Sequence, residues 1–67
     1  MTNVIVAGAA GRMGCRLVAL IKESPVMTLA GAIEGKGHAA LGDDAGETAG
    51  CGRAGVPISD DLGALLD

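Results

Sequence analysis

Apolar residues follow two different spacings along this chain, and each spacing predicts a type of element. Residues 4–7 are apolar without interruption, which is typical of a strand covered on both faces of a parallel sheet, so we predict a strand over residues 3–7. Across residues 12–24 apolar side chains recur at helical spacing. Pro25 ends that pattern, because the residue before a proline avoids the helical region. The sequence therefore begins with a predicted strand, a turn and a helix.

An apolar stripe on the predicted helix and a second apolar run supply the expected core. We expect the helix to bury the stripe Met13, Leu17, Leu20 and Ile21, which Val18 widens, and the leucines to serve packing alone. Residues 26–33 predict a second strand with two faces. One face carries Met27, Leu29, Gly31 and Ile33, and the other carries Thr28, Ala30 and Ala32.

The stretch 35–55 has no periodicity and is rich in glycine. A structureless stretch of this length inside a compact domain is usually functional or mobile. The spacing of its carboxylates, Asp43, Asp44 and Glu47, matches no calcium-binding loop, so we expect no metal there. His38 is expected to be exposed rather than catalytic.

The end of the chain predicts a short extended segment over residues 56–58 and then a helix. Ser59 is the expected N-cap, with Asp60 and Asp61 favourably placed in the first turn. Leu62, Leu65 and Leu66 form the expected apolar face.

Three glycines, Gly8, Gly11 and Gly14, join the first strand to the first helix. In a dinucleotide-binding turn the first glycine makes the turn, the second lets a pyrophosphate approach the backbone, and the third lets the helix pack closely. The free N–H groups at the helix start then face the phosphates. The first spacing is one residue longer than in GxGxxG, but the placement between strand and helix predicts half of a dinucleotide site.

Glu34 follows the second predicted strand, 20 residues after Gly14. A dinucleotide-binding βαβ unit places an acidic residue at this position, where it accepts hydrogen bonds from the adenosine ribose hydroxyls. The alternative is a solvated carboxylate at a strand end. Together with the glycine turn, Glu34 favours the binding role.

Length and composition narrow the class of protein. The chain has 67 residues, a formal charge of −3 and no Trp, Tyr or Phe, so its core is thin, and we expect a piece of a larger protein.

Without a basic stripe or an aromatic platform, nucleic acid is not an expected partner. The apolar start is too short to span a membrane. Cys15 and Cys51 show no metal spacing and are expected to be reduced thiols in a cytoplasmic protein.

The motifs together resemble one enzyme family. Residues 6–14, Val-Ala-Gly-Ala-Ala-Gly-Arg-Met-Gly, resemble the N-terminal signature of the 4-hydroxy-tetrahydrodipicolinate reductases, also called dihydrodipicolinate reductases. Residues 32–34, 41–50, 55–58 and 61–62 resemble the family's following segments in order. The resemblance implies an α/β fold: the N-terminal portion of a Rossmann-like NAD(P)-binding domain over residues 1–67, with an incomplete parallel sheet and the substrate domain absent.

The resemblance also implies which residues bind the cofactor, NADH or NADPH. The implied contacts come from the turn and from the acidic residue: Gly8, Ala9, Ala10, Gly11, Arg12, Met13 and Glu34. Many family members follow the acidic residue with an arginine that meets the 2′-phosphate of NADPH. Here that position is Gly35, and the nearest base is Lys36. Without the bidentate guanidinium, we expect NADH to be favoured.

In the full-length family the implied activity is hydride transfer from the nicotinamide to a cyclic dihydrodipicolinate-type intermediate in lysine and diaminopimelate biosynthesis. The family's paired histidines and lysine lie outside these 67 residues, so this chain holds no catalytic residue and is expected to be inactive alone. The resemblance also implies that the full-length enzyme is a homotetramer with a small-molecule substrate. Two alternatives stay open: a stand-alone nucleotide-binding module, and a structural peptide whose glycines serve only turns.

Overall fold

A computed structural model describes residues 2–63 of the chain. Five elements follow one another: β1 (Thr2–Ala7), α1 (Arg12–Glu23), β2 (Met27–Ile33), α2 (Ala45–Thr48) and β3 (Ile58–Ser59). The three strands form one parallel sheet in the order β1-β2-β3. A parallel sheet with a helical crossover between β1 and β2 is the start of a Rossmann-like fold, which confirms the predicted fold class. Within residues 2–63, no helix has the length and apolar character needed to cross a membrane.

The core lies where α1 packs on the sheet and α2 packs on α1. Its buried members are mostly small residues: Val6, Ala9, Val18, Ile21, Ala32, Ala45 and Ile58. Only Val6 of β1 is buried, so the described residues do not cover this strand on both faces as predicted. The thin core follows directly from a sequence without aromatic residues.

The predicted apolar stripe of α1 is wrong for three of its four members. Met13, Leu17 and Leu20 are 66%, 42% and 60% exposed, and of the stripe only Ile21 is buried. The face that packs on the sheet carries Gly14, Val18 and Ile21, so Val18, which was predicted only to widen the stripe, lies at its centre. Successive helical residues are about 100° apart, so moving the buried face by one position turns the leucines outwards. The close approach of Gly14 to the preceding turn fixes this rotation, as described below.

The predicted alternation of β2 fails at Ala30. Val4 pairs with Leu29, but Ile5 pairs with Gly31, so one extra residue interrupts the register. Because an inserted residue reverses the side-chain alternation, Ala32 joins the same core cluster as Leu29 instead of facing the other way. The irregularity has no signal in the apolar pattern.

The stretch predicted to lack structure is organised by Asp44. Its Oδ2 accepts hydrogen bonds from the N–H groups of Glu47 (3.0 Å) and Ala54 (2.8 Å), and its Oδ1 accepts those of Gly55 (2.7 Å) and Val56 (3.1 Å). The carboxylate therefore caps α2 and closes the loop that follows it. The Ala54 bond contributes most to lowering the pKa of Asp44 from 3.8 to about 2, and the other three bonds add to it against partial desolvation.

One contact of a glycine and one of a lysine hold the loop after α2 in place. A Cβ on Gly46 of α2 would lie 2.7 Å from the Ala54 nitrogen, so the loop packs on bare backbone. Lys22 Nζ at the end of α1 donates a hydrogen bond to the Cys51 carbonyl at 2.7 Å.

The helix predicted near the end of the chain begins later than the sequence indicated. Ser59 is the final residue of β3 rather than an N-cap, and its Oγ accepts the N–H of Asp61 at 3.0 Å. Helical backbone starts at Leu62, whose side chain is 48% exposed. The predicted apolar positions Leu65 and Leu66 lie outside the described residues.

Candidate dinucleotide site

The glycine turn lies at the carboxyl end of β1, and backbone hydrogen bonds hold it both within itself and to β2. Gly8 has a φ of 68°, in the left-handed region that favours glycine. The N–H of Ala9 donates to the Ile33 carbonyl at 3.1 Å, and the N–H of Gly11 donates to the Gly8 carbonyl at 2.9 Å. Ala9 is fully buried, so this predicted site residue has neither an exposed side chain nor a free amide.

The start of α1 supplies the free donors of the site. Gly11 is the N-cap, with φ −78° and ψ 172°, and no side chain caps the helix. The N–H groups of Arg12, Met13 and Gly14 belong to the first helical turn, where no intrahelical acceptor exists. No hydrogen-bond acceptor meets them among residues 2–63. A helix start in this condition favours an anion such as a phosphate.

The second and third glycines have different surroundings. A Cβ on Gly14 would lie 2.7 Å from the Gly8 carbonyl carbon and 2.8 Å from Ala9 Cα, which no backbone could accept without moving. A Cβ on Gly11 would meet only the Gly8 carbonyl oxygen, at 3.3 Å. Gly14 thus serves the packing of α1 on the turn, while Gly11 leaves the outer surface of the turn open.

Glu34 lies beside the turn and contacts it directly. Its Oε2 accepts the N–H of Ala10 at 2.8 Å, and its own N–H donates to the Ser59 carbonyl at 2.9 Å. Glu34 is therefore held at the end of β3 by its backbone and at the turn after β1 by its carboxylate. The sequence predicted that Glu34 and the turn share this edge of the sheet, but nothing in it indicated a bond between them.

The residues after Glu34 form a tight turn at the same edge. The N–H of His38 donates to the Gly35 carbonyl at 3.1 Å, and His38 Nδ1 accepts the N–H of Ala40 at 3.0 Å. His38 is exposed, as predicted. Lys36 is also exposed and forms no ion pair within the part of the chain that is described.

The possible metal ligands do not cluster among the described residues, and both cysteines bond to backbone carbonyls instead. Among residues 2–63, no group of three or more His, Cys, Asp or Glu side chains could hold an ion. Cys15 and Cys51 are free thiols, and their Sγ atoms donate to backbone carbonyls, Cys15 to Ala9 at 3.5 Å and Cys51 to Gly46 at 3.4 Å.

Comparison with known proteins identifies one family. The family described as "Dihydrodipicolinate reductase, N-terminus" matches residues 2–67. The chain is 52% identical over its whole length to the 4-hydroxy-tetrahydrodipicolinate reductase of Geobacter metallireducens, and 51% identical to that of Geobacter sulfurreducens. The reductase of Pelobacter propionicus is 48% identical over 98% of the chain. In each case the chain spans 25% of the relative's length.

These matches run through the glycine turn, Glu34 and the Asp44 loop, which the structure brings into one sheet-and-helix unit. The chain belongs to the dihydrodipicolinate reductase family and corresponds to its N-terminal part.

Proposed function

We propose that this chain is the NAD(P)H-binding segment of a 4-hydroxy-tetrahydrodipicolinate reductase. One observation carries the proposal: three free N–H donors at the start of α1 lie at the same sheet edge as the Glu34 carboxylate. Donors suit a pyrophosphate, and a carboxylate suits ribose hydroxyls. A dinucleotide carries both a pyrophosphate and ribose hydroxyls, so the donors and the carboxylate together fit this class of ligand.

The site's own atoms fit such a cofactor. The turn from Gly8 to Met13 would hold the pyrophosphate through backbone groups, with Gly11 keeping its surface clear of side chain. Within that turn, the amides of Ala9 and Ala10 are already bonded, so these two residues shape the turn, and the N–H groups of Arg12 and Met13 are free to bind. The bound nicotinamide would supply the hydride, and this chain's residues would bind and orient the adenosine half.

We further propose a preference for NADH over NADPH. A 2′-phosphate would lie next to the Glu34 carboxylate, and Gly35 offers no guanidinium to offset the repulsion. Lys36 is the nearest base, and as a flexible point charge it compensates less well than a planar, bidentate arginine.

The activity that we propose for the whole enzyme is the one for which its relatives are named. It reduces the cyclic dihydrodipicolinate-type substrate in lysine and diaminopimelate biosynthesis, in the cytoplasm and as a homotetramer. Residues 1–67 form part of the cofactor domain, and the catalytic groups lie elsewhere. The 67 residues alone are expected to be inactive.

The test uses the intact gene product, meaning the whole polypeptide that the gene encodes. We expect it to oxidise NADH when 4-hydroxy-tetrahydrodipicolinate is supplied, and not in its absence. Saturable NADH binding without turnover would favour the alternative, a stand-alone nucleotide-binding module. Absence of binding of both NADH and NADPH would contradict both, whereas binding of NADPH alone would contradict only the proposed preference for NADH.

A further inference from the structure

Among the amides of the glycine turn, that of Ala10 depends on a side chain. The neighbouring N–H groups of Ala9 and Gly11 donate to the backbone carbonyls of Ile33 and Gly8. The N–H of Ala10 donates instead to Glu34 Oε2, at 2.8 Å and across 24 sequence positions. The direction of this peptide group is therefore set by a residue that lies outside the turn.

We infer that Glu34 is a positioning residue for the phosphate-binding turn, in addition to contacting ribose; the inference rests on the proposed cofactor binding. The N–H of Ala10 belongs to the peptide group between Ala9 and Ala10, one residue before Gly11, the N-cap from which the free helical N–H groups follow. A hydrogen bond to an ionised carboxylate is roughly twice as strong as one between neutral groups. Before a ligand binds, Glu34 thus holds the turn in the conformation that leaves the helical N–H groups free to donate. Less conformational entropy is then lost when the ligand binds.

The same bond limits the freedom of the carboxylate. Glu34 is fixed at its backbone by the Ser59 carbonyl and at its side chain by Ala10. Swinging the carboxylate away from a 2′-phosphate would break the Ala10 bond and release the turn. One hydrogen bond therefore contributes to both effects. It keeps the carboxylate where it repels a 2′-phosphate, and it holds the turn that would bind the pyrophosphate.

Two variants of the intact gene product separate positioning from ribose contact. Glu34→Ala and Glu34→Gln both remove the negative charge, but only the glutamine retains an oxygen that can accept the Ala10 N–H. The probes are ADP and 2′,3′-dideoxy-ADP, which lacks the ribose hydroxyls. Because dideoxy-ADP offers no hydroxyl to residue 34, any difference between the variants must act through the turn.

We expect Glu34→Gln to bind dideoxy-ADP about fivefold more tightly than Glu34→Ala, the effect of one hydrogen bond. Amide exchange supplies a local readout: the Ala10 N–H should exchange faster in Glu34→Ala than in Glu34→Gln, while the Ala9 N–H stays protected in both. Circular dichroism of both variants serves as the control for folding. Equal dideoxy-ADP affinities or equal Ala10 exchange in the two variants would overturn the inference alone. Failure of the native protein to bind ADP would overturn the proposed function, and the inference with it.

Discussion

Gly14 lies directly against Gly8, so closely that a Cβ on residue 14 would be 2.7 Å from the Gly8 carbonyl carbon. This contact joins the first turn of α1 to the end of β1 through backbone alone. It sets how near the helix approaches the sheet and which of its faces is buried. The position of the free helical N–H groups at the edge of the sheet depends on it.

The first prediction concerns this contact. Gly14→Ala should lower the free energy of unfolding by about 3 kcal/mol, because the added methyl meets backbone that cannot move aside. Chemical unfolding of the intact gene product followed by circular dichroism measures the loss. Gly35→Ala is the matched control, since a Cβ there meets nothing within 4 Å. We expect the control to stay within about 0.5 kcal/mol of the native protein. Equal stability of Gly14→Ala and the control would contradict the packing role.

The second prediction concerns the Asp44 loop. Asp44→Asn replaces an acceptor oxygen with an NH₂ group, so two of the four N–H groups that point at the carboxylate lose their acceptor. We expect lower stability and faster amide exchange at one of the two pairs, Glu47 with Ala54 or Gly55 with Val56, according to the orientation of the new amide. Asp43→Asn is the control, because the Asp43 side chain makes no hydrogen bond within the described residues. Unchanged exchange in Asp44→Asn would show that the loop is held by other contacts.

The third prediction is a pH dependence that arises from the same carboxylate. The folded state lowers the pKa of Asp44 from 3.8 to about 2, so the proton binds the unfolded chain more tightly than the folded one. The stability that this residue contributes is complete above about pH 4 and is lost as the pH falls through about 2. Unfolding midpoints measured at several pH values should therefore fall more steeply for the native protein than for Asp44→Asn. Parallel curves would contradict the assignment.

The fourth prediction concerns cofactor choice. Gly35→Arg places a guanidinium beside Glu34, where it can pair with a 2′-phosphate. We expect the variant to gain about tenfold in NADPH affinity relative to NADH, which corresponds to about 1.4 kcal/mol. Gly35→Ala separates the charge from the mere presence of a side chain and should leave the ratio of the two affinities unchanged. Tighter binding of NADPH than NADH by the native protein would contradict the proposed preference.

The elements that surround the glycine turn were predictable because their signals are local. The glycines, the unbroken apolar run before them and the proline after the helix each act within a few residues, so β1, α1 and β2 begin and end within about two residues of their predicted limits. Glu34 was predictable as well, because the length of a βαβ unit fixes where its second strand ends.

Features that depend on contacts across the chain were not predictable. The buried face of α1 is set by the Gly14 contact with Gly8, which outweighs an apolar stripe that would otherwise place Leu17 and Leu20 in the core. The structure of the Asp44 loop depends on amides 10 to 12 positions further along the chain. Nothing in the spacing of its acidic residues indicated that one carboxylate would organise it.

The most direct test of the account is NADH binding by the intact gene product and its Gly11→Ala variant. Residue 11 has φ −78° and ψ 172°, which alanine adopts readily, and its Cβ would meet only the Gly8 carbonyl oxygen, at 3.3 Å. The variant should therefore unfold at nearly the same midpoint as the native protein. We predict saturable NADH binding by the native protein and binding at least about tenfold weaker by the variant, because the methyl obstructs the phosphate's approach to the turn. Equal affinities, or no binding by the native protein, would contradict the assignment of this turn as the cofactor site.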